Sequence, residues 1–410
     1  MKITVVSCVF PPEPVVSSRT SFETARALAA RGHDVTVIAP FPNRPAGTLY
    51  AGYRRALFRL EVAAEGFRIV RCLSSFSRSS SMLSRLAENV SFGFTSSLAL
   101  LFGRKPSVIY ANTWPIFAAA MTGFVARLRR IPFVVSVQDI YPESLISQGR
   151  RGSGITARVL MSIDRRTVRS AAAVVVISER FAEHYRRTRG VDMSRIHIVP
   201  NWLPAQGTEA TPGRAEACRD RNGIPRSAFL FVYGGNVSVS AGVETVIEAF
   251  RYLDDEPDIY LLVAGEGASL DRCRRLAGDI APERIRFEYP WPGTIDVLHA
   301  ADAVLLPTHA AQSAASVPSK LISYLLSARP VLATALPDSD TAAVILGSGA
   351  GVVVAPDDPA VLADAIRSMK RLSLEVRQRM GCAGRDWALA SVTTDVCLPR
   401  LVDIIEGVAR

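Results

Sequence analysis

Short runs of Val, Ile, Leu, Phe and Ala recur along the chain, and each is followed by a longer stretch whose apolar positions repeat with helical spacing. That alternation marks βαβ units wound around a parallel sheet. It predicts strands over Ile3–Val6, Val35–Ala39, Ile69–Cys72, Val108–Ala111, Phe133–Val137, Ala173–Ile177 and Ile196–Val199. After a polar stretch from Leu203 to Pro225 the pattern restarts, with strands expected over Phe229–Tyr233, Ile259–Ala264, Ile285–Phe287, Ala303–Leu306, Val331–Ala333 and Val352–Val354. Most of these runs are apolar throughout, as in parallel strands covered by helices on both faces. The expectation is an α/β protein of two Rossmann-like, doubly wound domains, residues 1–203 and 204–392. Residues 393–410 read as a last helix packing across the domain junction, and Ser74–Ser84 as a mobile loop.

Composition narrows the class. A chain of 410 residues with 49% hydrophobic and 21% charged residues has ample core material and exceeds what one core organises. The first strand starts close to Met1, which leaves no basic segment and apolar stretch of the secretory kind. The six cysteines form no CxxC pair, so reduced thiols in a cytoplasmic protein are expected rather than zinc or disulfides. A net charge of +10, with clusters such as Arg127–Arg130 and Arg165-Arg166, favours anionic partners or a membrane surface. Nucleic acid is not expected, because no module for it accompanies the charge. The apolar stretches Val90–Phe102 and Ile116–Leu128 are too short to span a bilayer, which leaves peripheral contact at most.

In open sheets of this kind ligands bind beyond the carboxyl ends of the strands. Two such ends run into glycines, at Tyr233-Gly234-Gly235-Asn236 and at Ala264-Gly265-Glu266-Gly267, where backbone could come close to a phosphate. Ser240 reads as the cap of the helix after the first turn. Farther on, Val317-Pro318-Ser319-Lys320 opens another helix, with Ser316 as cap, Pro318 in the first turn and Lys320 as a cation beside the helix end. Each feature alone also reads as ordinary αβ topology or a surface lysine. Asp139 and Glu143, after the strand ending at Val137, stand where carboxylates could contact an acceptor, or cap a helix. The five histidines show no metal-ligand spacing.

The ordered set Gly-Gly-Asn, Gly-Glu-Gly, Ala301–Pro307, Pro318-Ser319-Lys320 and Arg329-Pro330-Val331 resembles the donor domain of retaining GT-B glycosyltransferases of family four. Phe10-Pro11-Pro12-Glu13, Ala30–Val35, Asp139–Ser144 and Val199–Trp202 extend the resemblance over nearly the whole chain, towards the subgroup that transfers amino- or deoxysugars for surface polysaccharides. The resemblance implies a nucleotide diphosphate sugar, with UDP or GDP as the nucleotide, held by the second domain, and an acceptor in the first. Transfer would retain configuration, with no metal or other cofactor. By motif, the donor would meet Gly235, Asn236, Gly265, Glu266, Glu288, Tyr289, Pro318, Ser319, Lys320 and Ser323. The acceptor, a small molecule or a lipid-linked one, would meet Pro12, Ser17, Arg19, Asp139 and Glu143, and the chemistry would fall to Lys320 and Asp139. The pattern departs from the family in one respect above all: its two glutamates fall on Ala315 and Ser323. An unusual donor, compensation by a residue such as Arg19, an inactive binding relative, and an epimerase of the same fold all stay open.

Overall fold

The computed structural model describes all residues except 45, 78–81, 113–115, 141–142, 144–153, 290–294 and 316, and for residues 16, 82, 155 and 315 the backbone alone. Two compact units emerge, one formed by residues up to Asn201 together with Asp395–Arg410, the other by Trp202–Thr394.

The first unit is built on eight strands: β1 (Lys2–Val6), β2 (Asp34–Pro40), β3 (Phe58–Val62), β4 (Arg68–Cys72), β5 (Val108–Asn112), β6 (Phe133–Val137), β7 (Ala173–Val176) and β8 (Ile196–Ile198). Their order across the sheet is β3-β4-β2-β1-β5-β6-β7-β8, parallel except for β3, which runs antiparallel to β4. Strand β3 was not expected. Its alternation points Phe58, Leu60 and Val62 to solvent at the sheet edge, so no apolar run announces it. Helices α1 (Val16–Ala30), α2 (Met82–Phe102), α3 (Ile116–Leu128) and α4 (Gly154–Ser170) supply the crossovers. The serine-rich stretch gives way to α2 at Met82, and its described start is tied down, the amide of Ser75 donating to Ser91 Oγ at 2.8 Å.

The second unit holds β9 (Phe229–Gly234), β10 (Ile259–Ala264), β11 (Ile285–Glu288), β12 (Ala303–Leu306), β13 (Val331–Thr334) and β14 (Gly351–Val354), all parallel, in the order β11-β10-β9-β12-β13-β14. Consecutive buried runs such as Phe229–Gly234 follow from helices covering both faces of the sheet. Its six described-strand order places β9 at the point where the winding reverses.

The closing helix, Thr394–Ala409, counts with the first unit from Asp395 onward. It buries Cys397, Leu398, Leu401, Val402 and Ile405. Arg31 Nη1 donates to Asp403 at 2.6 Å and to Glu406 at 3.2 Å, and His33 Nε2 lies 2.8 Å from Glu406. All six cysteines are free, and five of them are buried.

Candidate active site

Register sets the site of the second unit. Because Tyr233 pairs with Val263 and Gly234 with Ala264, β9 and β10 end level and their glycine turns lie side by side. A Cβ on Gly265 would stand 1.9 Å from the carbonyl oxygen of Gly235, so only glycine fits. The Gly235 amide donates to Ala264 O at 2.9 Å and the Val237 amide to Glu266 O at 2.8 Å. The two turns therefore form one interlocked ledge. Among the described residues the amides of Asn236, Glu266 and Gly267 make no hydrogen bond, and all three residues are exposed. Unpaired amides at strand ends are the groups that meet an anion.

Lys320 lies against this ledge. A Cβ on Gly235 would come within 3.3 Å of Lys320 Cε. The ammonium donates to Tyr233 Oη and stands 4.2 Å from the centre of that ring, and Tyr233 Oη donates to Asn236 O at 2.6 Å. Among the described residues no carboxylate pairs with Lys320. Burial without a counter-charge lowers its pKa to about 8. Tyr324, fully buried, completes the support: its hydroxyl accepts from the Gly234 amide at 2.8 Å. Both tyrosines escaped the sequence reading. A tyrosine inside an apolar run is the signal that would have found them, since a buried hydroxyl needs a partner.

Several expectations are corrected here. The helix carrying Lys320 runs only from Lys320 to Leu326, and Pro318 precedes it, its carbonyl accepting from the Leu321 amide at 3.0 Å. Ser319 holds the cap position with no side-chain hydrogen bond, while Ser316 lies outside the described residues. Ser240 sits in a 3₁₀ turn, its hydroxyl 3.0 Å from that of Ser238, and Gly242 takes the cap position of the helix Val243–Ala249. Glu288 is already engaged: its carboxylate accepts from Arg221 at 2.7 Å and from Asn222 at 3.1 Å. Tyr289 is exposed, with the Arg274 guanidinium 5.7 Å from its ring centre. Ser323 Oγ donates to Lys320 O at 2.8 Å, and the side chain of Ala315 lies outside the described residues.

In the first unit, a hollow of about 340 Å³ opens at the start of α1, lined by Pro11, Glu13, Ser18 and Arg19 among others. Pro12 and Ser17 are exposed on the same loop and first turn. Glu13, which the sequence reading passed over as a site residue, is buried and organises the loop, accepting from the amides of Phe10, Asn43 and Arg44 at 3.2, 2.9 and 2.9 Å. Arg19 Nε donates to Glu23 at 2.8 Å. Asp139 follows β6, which β5 separates from β1, so it stands two strands from that loop. Its side chain reaches the surface, yet the protein crowding around it raises its carboxyl above the ordinary value.

Glu143 is already paired within its own unit. Arg189 donates to it at 3.0 and 2.8 Å and to Asp164 at 2.7 Å, and His184 Nε2 lies 3.1 Å away. Burial opposes its charge, but the hydrogen bonds from His184 and Arg189 outweigh that and hold its pKa at about 2. His309 is likewise paired, its Nδ1 with Asp357. Among the described residues no three His, Cys, Asp or Glu side chains gather as a metal site would require.

Two family models match the chain in turn, the glycosyl transferase 4-like domain over residues 17–202 and glycosyl transferases group 1 over residues 228–371. The chain belongs to this family of GT-B glycosyltransferases. WcaI of Escherichia coli (strain K12), named for colanic acid biosynthesis glycosyl transfer, is 27% identical over 79% of this chain and 81% of its own. A 2-deoxystreptamine glucosyltransferase of Streptomyces kanamyceticus is 24% identical over 67% of this chain and 69% of its own. The crystal structure of Anabaena HepE in complex with UDP superposes with a TM-score of 0.72 at 14% identity, over 99% of this chain and all (100%) of that one, and shares the fold.

Proposed function

We propose that this glycosyltransferase takes its sugar from a nucleotide diphosphate sugar held at the β9–β10 ledge, and transfers it with retention of configuration and without a metal. The observation that carries the reading is Lys320: a crowded ammonium that, among the described residues, has no carboxylate partner and lies against a ledge of unpaired amides. A diphosphate would supply the missing counter-charge and accept from those amides. Catalysis is then electrostatic, as charge grows on the departing diphosphate. The acceptor hydroxyl attacks the anomeric carbon from the face the diphosphate leaves, the C–O bond to phosphate breaks, and a phosphate oxygen takes the hydroxyl proton.

HepE was crystallised with UDP, which makes a uridine donor the first to try. The names of the relatives suggest a polysaccharide intermediate or an aminoglycoside-type acceptor. A second reading rests on Ser323. With a hydroxyl where the family has a carboxylate, the ribose loses a charge-assisted bond of roughly 1.5–3 kcal/mol, which favours an unusual donor or a protein that binds without turnover. Thermal-shift screening with UDP, GDP and dTDP tests the first step, because a ligand of the folded state alone stabilises by RT ln(1 + [L]/Kd). Stabilisation by one nucleotide, followed by a product of retained configuration with an acceptor, supports the proposal. No shift with any of the three overturns it, and a donor sugar inverted in the absence of acceptor makes the protein an epimerase.

A further inference from the structure

Three helices of the first unit present apolar side chains outward. On α2, Leu83, Leu86, Val90, Phe94 and Phe102 are exposed at intervals of three, four, four and eight, which lines them up along one face. Phe102 is 81% exposed and Leu83 78%. On α3, Phe124 and Leu128 are 69% and 61% exposed. Between α2 and α3 lies a hollow of about 340 Å³ lined by Phe94, Leu98, Leu101, Met121 and Phe124. On the other side of Phe124, between α3 and α4, a hollow of about 560 Å³ is lined by Arg127, Arg166 and Arg169.

The charge around this face has one sign. Within the three helices the only carboxylates are Glu88, paired with Arg44 at 3.0 Å, and Asp164, paired with Arg189 at 2.7 Å. Among the described residues Arg127, Arg166 and Arg169 pair with no carboxylate, and Arg104, Lys105 and Arg130 are exposed after the ends of α2 and α3. A contiguous exposed apolar face marks an interaction site. A second copy would bring like charges together here, whereas a sheet of lipid phosphates complements every one of them. No helix among the described residues is long and apolar enough to cross a membrane.

We infer that this face docks on an anionic bilayer, the α2–α3 stripe lying at the boundary between head groups and acyl chains and the α3–α4 arginines holding lipid phosphate. The inference goes beyond the transfer reaction and does not rest on it. Flotation of the full chain with vesicles of phosphatidylcholine, alone or mixed with phosphatidylglycerol, tests it. Binding is expected to the mixed vesicles, at least tenfold weaker to neutral ones, and reduced by salt. Arg127→Gln with Arg166→Gln lowers partitioning about thirtyfold, from ~1 kcal/mol for each basic side chain at such a surface. Phe94→Ser with Phe124→Ser lowers it too, with the circular dichroism of both variants unchanged. Absence of binding to mixed vesicles, or binding that neither variant weakens, overturns the inference. So does a dimer in velocity sedimentation that the serine variant splits, which would make the face a subunit interface.

Discussion

Arg189 in the first unit and Lys320 in the second are both cations held away from water, and their surroundings are opposite. Arg189 is 0% exposed and saturated, with Asp164 on Nε and Glu143 on the terminal nitrogens. Lys320 meets a neutral tyrosine hydroxyl and a ring face. A buried charge with its partners present is architecture, because removing one partner leaves the others stranded. A crowded charge without a partner is unfavourable in the empty protein, and the cost is relieved when an anion arrives. On the proposed reading, two cations that look alike in the sequence thus belong to different links of the chain from fold to function.

The contrast can be broken most directly by deleting each cation. Arg189→Met should destabilise the protein by about 3–5 kcal/mol, measured by urea unfolding, because two carboxylates lose their partner. Lys320→Ala should leave stability unchanged or higher and lower turnover by about 10²–10³, in the range seen when a group that meets transition-state charge is removed. If Lys320→Ala unfolded the protein while turnover per folded molecule survived, the lysine would be architecture as well.

A pH series sharpens the comparison. Burial lowers the Lys320 pKa to about 8 in the free protein, and a diphosphate bound as proposed would hold that proton more tightly. Nucleotide affinity by calorimetry should therefore be full below about pH 8 and fall by up to about tenfold per pH unit above it, with proton uptake on binding; Lys320→Ala should remove this dependence. Glu143 responds at the other end of the scale. Its pKa is about 2 in the fold against 4.5 as a free side chain, so its stabilising contribution is present above pH 4.5 and lost as pH falls through 2. Urea unfolding free energies of wild type and Glu143→Gln should differ at neutral pH and converge as pH falls towards 2. The smallest effect belongs to Tyr233→Phe, which removes the acceptor for Lys320 and the donor to Asn236 O at a cost of about 1–2 kcal/mol, readable as a lowered melting temperature.

Much of this was legible before any coordinates. Thirteen parallel strands, most of them buried, left largely apolar runs that the eye can follow, whereas β3, mostly exposed at an edge, left none. The glycine turns were visible as motifs. Their interlocking was not, because it depends on β9 and β10 ending level across a crossover. Glu143 looked available since its partners, His184 and Arg189, follow it by 41 and 46 positions and meet it only through the packing of the helix Glu179–His184 and the turn that ends at Arg189. Lys320 read as a cation beside a helix end, but its place against the Gly235 turn, and its lack of a carboxylate partner among the described residues, are facts of three-dimensional neighbours alone.

The helix Thr394–Ala409 also bears on how the protein is made. Since it closes over Arg31 and His33 with nearly two hundred intervening residues forming the other unit, a ribosome delivers the first unit in two instalments. A fragment stopping at Asn201 would emerge with an uncovered apolar flank, and a synthetic peptide of residues 394–409 added in trans is the natural piece to restore it.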